Sequence, residues 1–256
     1  MFKQIIKHNK YSLITLVSVA FLLAVWELAS FLLGKDYLLP RFSQVVVEFI
    51  RFFGEKTFYV NLGSTLLRCL IGFVSAYVLG FILGVLGGKY PAFHAVIRPI
   101  VSFLRATPVM ALTLLIMVWF KSKNTPIIIG FIMVFPIVYA TIKDGINSVD
   151  KKIIQVASVY DFSKKEKIRY VYLPEVAPIA FSSLTASFGL NVKAVISAEI
   201  LSYAPKSIGI SMYVAKSDIF EGTAILFAYV LVAVLLSALF ELAFTLIKNR
   251  VCRHLL

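Results

Sequence analysis

Long apolar runs separated by short polar segments make up most of this 256-residue chain. An apolar helix needs roughly 20 residues to cross the hydrocarbon core of a bilayer, and most of these runs approach or exceed that length. The predicted spans are Tyr11 to Leu33, Thr65 to Gly87, Ile100 to Phe120, Pro126 to Ile142, Ala177 to Leu201 and Ala224 to Ile247. The pattern therefore predicts an all-α polytopic membrane protein with about six transmembrane helices, of which residues 11–33 form the first.

Between the first two spans, Phe42 to Phe53 mixes Val, Phe and Ile with Glu48 and Arg51. This pattern indicates an amphipathic helix that either lies along the outer membrane interface or packs against neighbouring spans. The rest of the sequence has no low-complexity linker and no internal repeat. We therefore expect a single membrane domain over residues 1–256, with a core of residues 60–250.

Small residues recur every four positions in the second span, and proline lies within the third and fourth. The small residues are Gly72, Ala76, Gly80, Gly84 and Gly88. Such a row lets a second helix approach closely in lipid, so it predicts a packing seam, and a seam within the chain is favoured over one between two copies. Pro108 and Pro136 are expected to interrupt their spans, either along a transport pathway or simply as bends.

Composition and charge support a membrane protein and indicate its orientation. The chain is 60% hydrophobic, well above the roughly 45–50% of soluble domains, and carries a formal charge of +13. Placing the N-terminus inside puts 16 of the 26 Lys and Arg residues on the cytoplasmic side, as the positive-inside rule requires. Both termini and the central loop, residues 143–175, are then cytoplasmic. Basic residues placed between apolar spans do not indicate nucleic-acid binding.

The centre of that loop, Gln155 to Pro174, is predicted to fold as a helical hairpin. Two helical runs flank Asp161, Phe162 and Ser163, and Ser163 with Glu166 has the spacing of a capping box that starts the second run. The first run is apolar, whereas the second is strongly cationic. A solvated basic loop is the alternative interpretation.

The hairpin resembles the cytoplasmic EAA loop of ABC-importer permeases. In that pattern Glu-Ala-Ala is followed by three residues, Gly, nine residues, Ile, one residue and Leu-Pro; Ala157, Val171, Leu173 and Pro174 stand in register. Gln155, Val156 and Asp161 replace the family's Glu, Ala and Gly, although Asp tolerates a left-handed turn. The resemblance implies ATPase coupling by Gln155, Val156, Ala157, Val159, Tyr160, Asp161, Phe162, Ser163, Leu173 and Pro174.

Four further segments are similar to a narrower group, the permeases for nitrate, sulfonate, taurine and bicarbonate, together with those for thiamine pyrimidines. These landmark segments are Leu38-Leu39-Pro40, Thr65-Leu66-Leu67-Arg68, Arg105-Ala106-Thr107-Pro108, and Ala198-Glu199 followed by Ile208-Gly209. The sequence departs from the group at Trp119 to Lys123, where a Gly-rich segment is usual. Residues 38–250 share the resemblance.

This family implies a type I ABC-importer permease in a bacterial cell membrane. Its expected partners are a second copy of itself, two cytoplasmic ATPase subunits that use the ATP, and an extracytoplasmic substrate-binding protein. The substrate expected from the group is a small anion, and a thiamine-precursor pyrimidine is the alternative.

Polar residues within the fifth span are the candidates for the pathway. Ser183, Ser187, Asn191 and Glu199 lie on one four-residue row, which either lines the pathway or makes interhelical hydrogen bonds. Pro108 is a further candidate. Lys193 points elsewhere, about 120° from Glu199, and either attracts an anionic substrate or pairs with Glu27 or Glu241. Arg68 lies close enough to a span end to be expected to snorkel.

The sequence lacks the signatures of an ATPase or of a catalytic site. Gly88-Lys89 is followed by Tyr90, so no Walker phosphate loop is present, and the histidines do not form a His-Glu-x-x-His metal motif. We expect no enzymatic activity and no cofactor of its own. A self-sufficient secondary transporter is the competing class, but the inverted repeats typical of such proteins are not evident.

Overall fold

The computed structural model describes residues 2–218 and 222–255, with side chains for residues 14–218 and 222–250. Every regular element within these ranges is helical, which confirms the all-α prediction. In chain order the helices are α1 (Phe2–Leu33), α2 (Phe42–Phe52), α3 (Lys56–Lys89), α4 (Pro91–Ala106), α5 (Val109–Trp119), α6 (Thr125–Asn147), α7 (Lys151–Val159), α8 (Lys164–Lys167), a π-helical segment (Ile168–Tyr172), α9 (Leu173–Ser202), α10 (Ile208–Ser217) and α11 (Gly222–Leu255).

The number of spans agrees with the sequence. Within the described ranges, 5 helices are long and apolar enough to cross a membrane, and α4 with α5 raise the number to 6 if the bent pair is one span. The first candidate is Ile14–Leu33, inside the predicted first span. The predicted orientation rests partly on Lys3, Lys7, Lys10 and Arg253, whose side chains lie outside the described ones, and it stays a prediction.

The prolines of the third and fourth predicted spans have different effects in the structure. The predicted interruption of the third span at Pro108 is confirmed: α4 and α5 meet there at an angle of 105°, and α4 begins at Pro91 rather than Ile100. Thr107 and Pro108 are both extended there, with ψ of 129° and 135°, since proline disfavours a helical conformation in the residue before it. Pro136 lies inside α6, which continues through it, so the fourth span has no break there and the alternative of a bend stays a prediction.

By its internal contacts the chain divides into two compact units, and the prediction of one domain stays a prediction. The first unit is Met1–Phe58 with Ser211–Val232. In it, the carboxylate of Glu27 accepts a hydrogen bond from the Phe42 backbone N–H (2.7 Å), and the Trp26 indole donates to the Pro40 carbonyl (3.0 Å). Phe52 stacks on Tyr229 with ring centroids 4.3 Å apart. The amphipathic stretch is therefore a helix, α2, with one face packed on protein.

The second unit is Tyr59–Ile210 with Ala233–Leu256, and its seam joins α3 to α6. A methyl group added to Gly72 would lie 2.7 Å from the Ile127 carbonyl oxygen, and one added to Gly84 would lie 2.8 Å from Cβ of Ile142. Gly80 and Gly88 face α6 in the same way, and Ala76 is fully buried. The predicted seam is confirmed, and it lies within one protomer.

We expect Gly72→Ala to lower the free energy of unfolding by about 1–3 kcal/mol, because the backbone of α6 cannot withdraw from the new methyl group without opening the seam. Gly63→Ala is the matched control on the same helix, since a methyl group there meets nothing within 4 Å. It should be neutral or stabilise α3 slightly. Unfolding of both variants in mixed detergent micelles measures the difference, and equal effects would contradict the seam.

Candidate functional site

The first arm of the central hairpin ends in a fixed turn. α7 begins at Lys151, and the carboxylate of the capping residue Asp150 accepts a hydrogen bond from the Lys152 backbone N–H (2.8 Å). At its other end Asp161 is left-handed, with φ of 53°, and the Phe162 N–H reaches back to the Ala157 carbonyl (2.9 Å). These bonds form a Schellman cap, in which the left-handed residue is usually Gly. Asp161 thus keeps the bend at the position where the resembling family has Gly.

The second arm has the predicted capping box. The Ser163 N–H donates to the Glu166 carboxylate (2.8 Å), and the Glu166 N–H donates to the Ser163 hydroxyl (3.3 Å). The ammonium group of Lys167 donates to the hydroxyl of Ser158 (2.9 Å) and so joins the two arms. The sequence predicted a short helical run for the second arm. In the structure this arm is longer than predicted, because it continues through the π-helical segment into α9.

The hairpin has an anchored side and an exposed side. Ala157 and Val171 are buried in a small cluster with Val149 and Val176, and Leu173 and Pro174 begin α9 beside it. The exposed side carries Val156, Val159, Tyr160 and Phe162, here called the hairpin patch. Val159 and Tyr160 are 80% and 74% exposed, and Gln155 is exposed beside them. An apolar patch on an ordered turn, flanked by charged residues, is typical of a protein interaction site.

A buried ion pair lies at the other end of α9. The Arg68 guanidinium donates to the Glu199 carboxylate at 2.8 Å, with both side chains at most 7% exposed. The Thr65 hydroxyl lies 3.0 Å from each oxygen of the same carboxylate. The prediction that Arg68 snorkels is therefore wrong: its charge is compensated inside the protein, which removes the need to reach water.

The same ion pair fixes the turn between α9 and α10. Arg68 also donates to the Pro205 carbonyl (2.7 Å), and Gly209 N–H donates to Glu199 (3.2 Å). Tyr203 and Lys206 are left-handed, with φ of 51° each, so the surrounding bonds must hold a strained turn. A methyl group on Gly209 would lie 2.4 Å from Cβ of Glu199. Three landmark parts that are distant in sequence, at residues 65–68, 198–199 and 208–209, thus form one site, here called the Arg68–Glu199 site.

The predicted pathway residues separate into a buried set and an exposed set. Ser187 donates to the Ser183 carbonyl, and Asn191 donates through Nδ2 to the Cys69 carbonyl (2.9 Å), so these side chains, with Glu199, are buried in helix contacts. Lys193 and Pro108 are exposed.

Neither carboxylate suggested for Lys193 pairs with it. The ion pairs among the described side chains are Glu48–Arg51, Arg68–Glu199 and Lys143–Asp144. Glu27 instead binds the backbone at Phe42. The described residues also contain no cluster of three or more His, Cys, Asp or Glu side chains that could hold a metal ion.

Comparisons with known proteins agree on one family. Residues 76–253 match the family described as "Binding-protein-dependent transport system inner membrane component". The taurine transport system permease protein of Escherichia coli (strain K12) is 23% identical over 240 residues, 91% of this chain and 86% of that protein. The formylaminopyrimidine transport permease protein of Halalkalibacterium halodurans is 24% identical over 172 residues, 67% and 68% of the two chains.

Two more comparisons extend this result to anion permeases and to a solved fold. The nitrate import permease protein of Synechococcus elongatus is 28% identical over 197 residues, 72% of this chain and 70% of that protein. An inward-facing structure of the MetNI methionine ABC transporter superposes with a TM-score of 0.56 at 16% identity, covering 77% of this chain and 94% of that one. At this identity the superposition shows the fold, which is that of a type I importer permease.

Proposed function

Because this chain belongs to the family of binding-protein-dependent transport system inner membrane components, we propose that it forms the translocation pathway of an ATP-driven importer of a small solute. Family and fold make it a multi-pass permease subunit of an ABC importer, a transport component rather than an enzyme. The proposed assembly contains two copies of the chain, two cytoplasmic ATPase subunits and an extracytoplasmic binding protein. It lies in a bacterial cell membrane with both termini in the cytoplasm.

The main support for coupling to an ATPase is the exposed and ordered hairpin patch. Its apolar side chains are exposed, yet the Schellman cap and the capping box hold their backbone in one conformation. A preorganised patch loses little conformational entropy when it binds, which favours a partner groove over a freely solvated loop. We assign the ATPase contact to this patch together with Gln155, Asp161 and Ser163. Ala157, Leu173 and Pro174 position it.

Coupling then follows from the continuity of the chain beyond the hairpin. ATP binding would close the ATPase dimer and displace the docked patch. Since the second arm and α9 form one helix from Lys164 to Ser202, that displacement would move the span as a rigid body and alternate the access of the pathway. The docked patch must make different contacts in the two states for this to occur.

We place Lys193 and Pro108 at the pathway, because both are exposed within or between apolar helices. Asn191 and Glu199 shape the pathway wall indirectly, by holding α9 against α3, and Ser187 is buried on the same row with its hydroxyl bonded within α9. The relatives named for taurine and nitrate favour a small anion as the substrate, and the formylaminopyrimidine relative keeps a thiamine-precursor pyrimidine as the alternative.

Reconstitution tests the proposed function. Proteoliposomes would contain this chain, its ATPase subunits and its binding protein, and would be assayed with labelled taurine, nitrate, bicarbonate and formylaminopyrimidine. We expect uptake of one of these classes that requires ATP and the ATPase. Omitting the ATPase should reduce uptake to the leak of protein-free liposomes. Uptake that persists without the ATPase would instead identify a secondary transporter.

A further inference from the structure

Lys193 lies deep within its span and on the exposed side of α9. It is nine residues before Ser202 and twenty after Leu173, or about 13 Å and 30 Å along the helix axis. The hydrocarbon core is about 30 Å thick, so a lysine 13 Å from the nearer end of the helix lies close to the middle of the core. Side chains on either side of it, Val192 and Ala194, are buried.

Most other charged groups of the described spans are compensated or lie near a helix end, with Arg98, exposed at the middle of α4, as an exception. Arg68 and Glu199 pair with each other, and Glu27 binds a backbone N–H. Glu241 is exposed, but it lies about 30 Å along α11 from Gly222, far enough to reach the opposite face of the core. Lys193, in contrast, has no carboxylate partner among the described residues.

The surroundings of Lys193 on the same side of α9 are small and partly polar. Ser182, Ala186, Gly189 and Ser197 recur with it every three or four residues, and a methyl group on Gly189 would meet nothing within 4 Å. A second cation reaches this side, because Lys248 donates to the Ser182 hydroxyl (2.9 Å). The one acid on the side, Glu175, is eighteen residues away, about 27 Å along the axis.

This environment disfavours two of the three surfaces that the exposed side of α9 could face. An unpaired lysine in contact with acyl chains is expensive. Tight packing against the same face of a second copy would bury two lysines together without a carboxylate in reach, which is also unfavourable. A water-filled cavity satisfies the ammonium group at no such cost. An aqueous cavity is therefore the surface that the exposed side of α9 fits best.

We propose that Lys193 is a specificity-determining residue that selects anions in this cavity, an inference that rests on the proposed permease function. In a homodimer two copies of Lys193 would give the cavity a positive potential, which concentrates anions and opposes cations. The substrate class is therefore a small inorganic or organic anion. A neutral or cationic pyrimidine gains nothing from this potential.

Charge-selective labelling tests the inference without knowledge of the substrate. The full-length Cys252→Ser chain in lipid nanodiscs would carry Ser197→Cys, one helical turn from Lys193, and would react with anionic sulfonatoethyl or cationic trimethylammonioethyl methanethiosulfonate. We expect faster reaction with the anionic reagent. Lys193→Gln should lower the anionic-to-cationic rate ratio about tenfold. In water-like surroundings, a unit charge about 6 Å away attracts one reagent and repels the other strongly enough to change the ratio by this factor. Lys193→Arg should preserve the ratio.

Two cysteines provide the controls. Lys123→Cys, in an exposed loop, should react with both reagents, and Leu239→Cys, an exposed apolar position of α11, should react with neither. No labelling at Ser197→Cys would place this side of α9 in lipid or in a protein contact and overturn the inference. An anionic-to-cationic rate ratio that is the same with and without Lys193→Gln would also overturn it. The two proposals can fail separately. If only the proposed function is wrong, uptake would proceed without the ATPase, while Lys193→Gln would still lower the labelling ratio.

Discussion

Glu199→Ala is expected to lower the free energy of unfolding of the permease by about 3–5 kcal/mol, the usual cost of breaking a buried ion pair from one side. The Arg68 guanidinium would remain buried without its counter-charge, and the Thr65 hydroxyl and Gly209 N–H would lose their acceptor. The strained turn at Tyr203 and Lys206 would lose part of its support as well. Unfolding in mixed micelles, or thermal unfolding in detergent, measures the loss.

Two further variants test whether the loss of stability in Glu199→Ala comes from the buried ion pair. Glu199→Gln keeps one oxygen acceptor, replaces the other oxygen with an NH2 donor and removes the charge, so we expect a loss between that of the alanine variant and zero. Glu48→Ala breaks an exposed pair, in which Arg51 is 67% exposed and the N–O distance is 3.7 Å, and should cost no more than about 1 kcal/mol. Equal losses in Glu48→Ala and Glu199→Ala would show that the buried site contributes no special stability.

The double variant Val159→Asp, Tyr160→Asp is expected to weaken binding of the ATPase subunits by about 100-fold or more. Tyrosines at the centre of interfaces often contribute 2 kcal/mol or more, and two carboxylates would have to be desolvated in the groove. Because both side chains are mostly exposed in the protomer, the fold should not change. Co-purification and ATP-driven uptake measure the loss, and thermal unfolding of the isolated permease should stay within experimental error.

Lys151→Asp is the matched control for the hairpin. It places a carboxylate in the first turn of the same helix, where the helix dipole favours negative charge, about 140° around the helix from Val156 and about two turns along it from Val159. We expect near-normal assembly. Coupled uptake at the normal rate in the double variant would refute docking through the hairpin patch, whereas loss of assembly in both variants would indicate a contact that covers all of α7.

Local sequence patterns predicted the spans, the hairpin turn and the seam, because each depends on residues close together in the chain. Ser163 and Glu166 are three residues apart, and the spacing of Gly72, Gly80 and Gly84 reflects a single helix face. The break between α4 and α5 also had a local signal: the Thr107-Pro108 dipeptide disfavours helix at Thr107. The interruption at Pro108 was predicted on this signal, but the apolar run across it gave no indication of the 105° angle, and α10 was too short to be recognised.

The Arg68–Glu199 site could not be predicted in the same way. Its two charges are 131 residues apart, and Thr65 is 143 residues from the backbone N–H of Ile208 that it binds. Nothing in the periodicity of either helix indicates that their polar positions face each other. Arg68 alone is equally compatible with a snorkelling side chain, so the pairing depends on the tertiary packing of α3 against α9.

The unbroken helix from Lys164 to Ser202 has a mechanical consequence. Its 39 residues amount to a lever arm of about 58 Å, so a tilt of about 5° at the hairpin would carry the far end through about 5 Å. The turn at Tyr203 is attached there through the carboxylate of Glu199 and the guanidinium of Arg68. A small movement of the hairpin at one membrane surface would thereby produce a larger movement of the attached turn at the other surface.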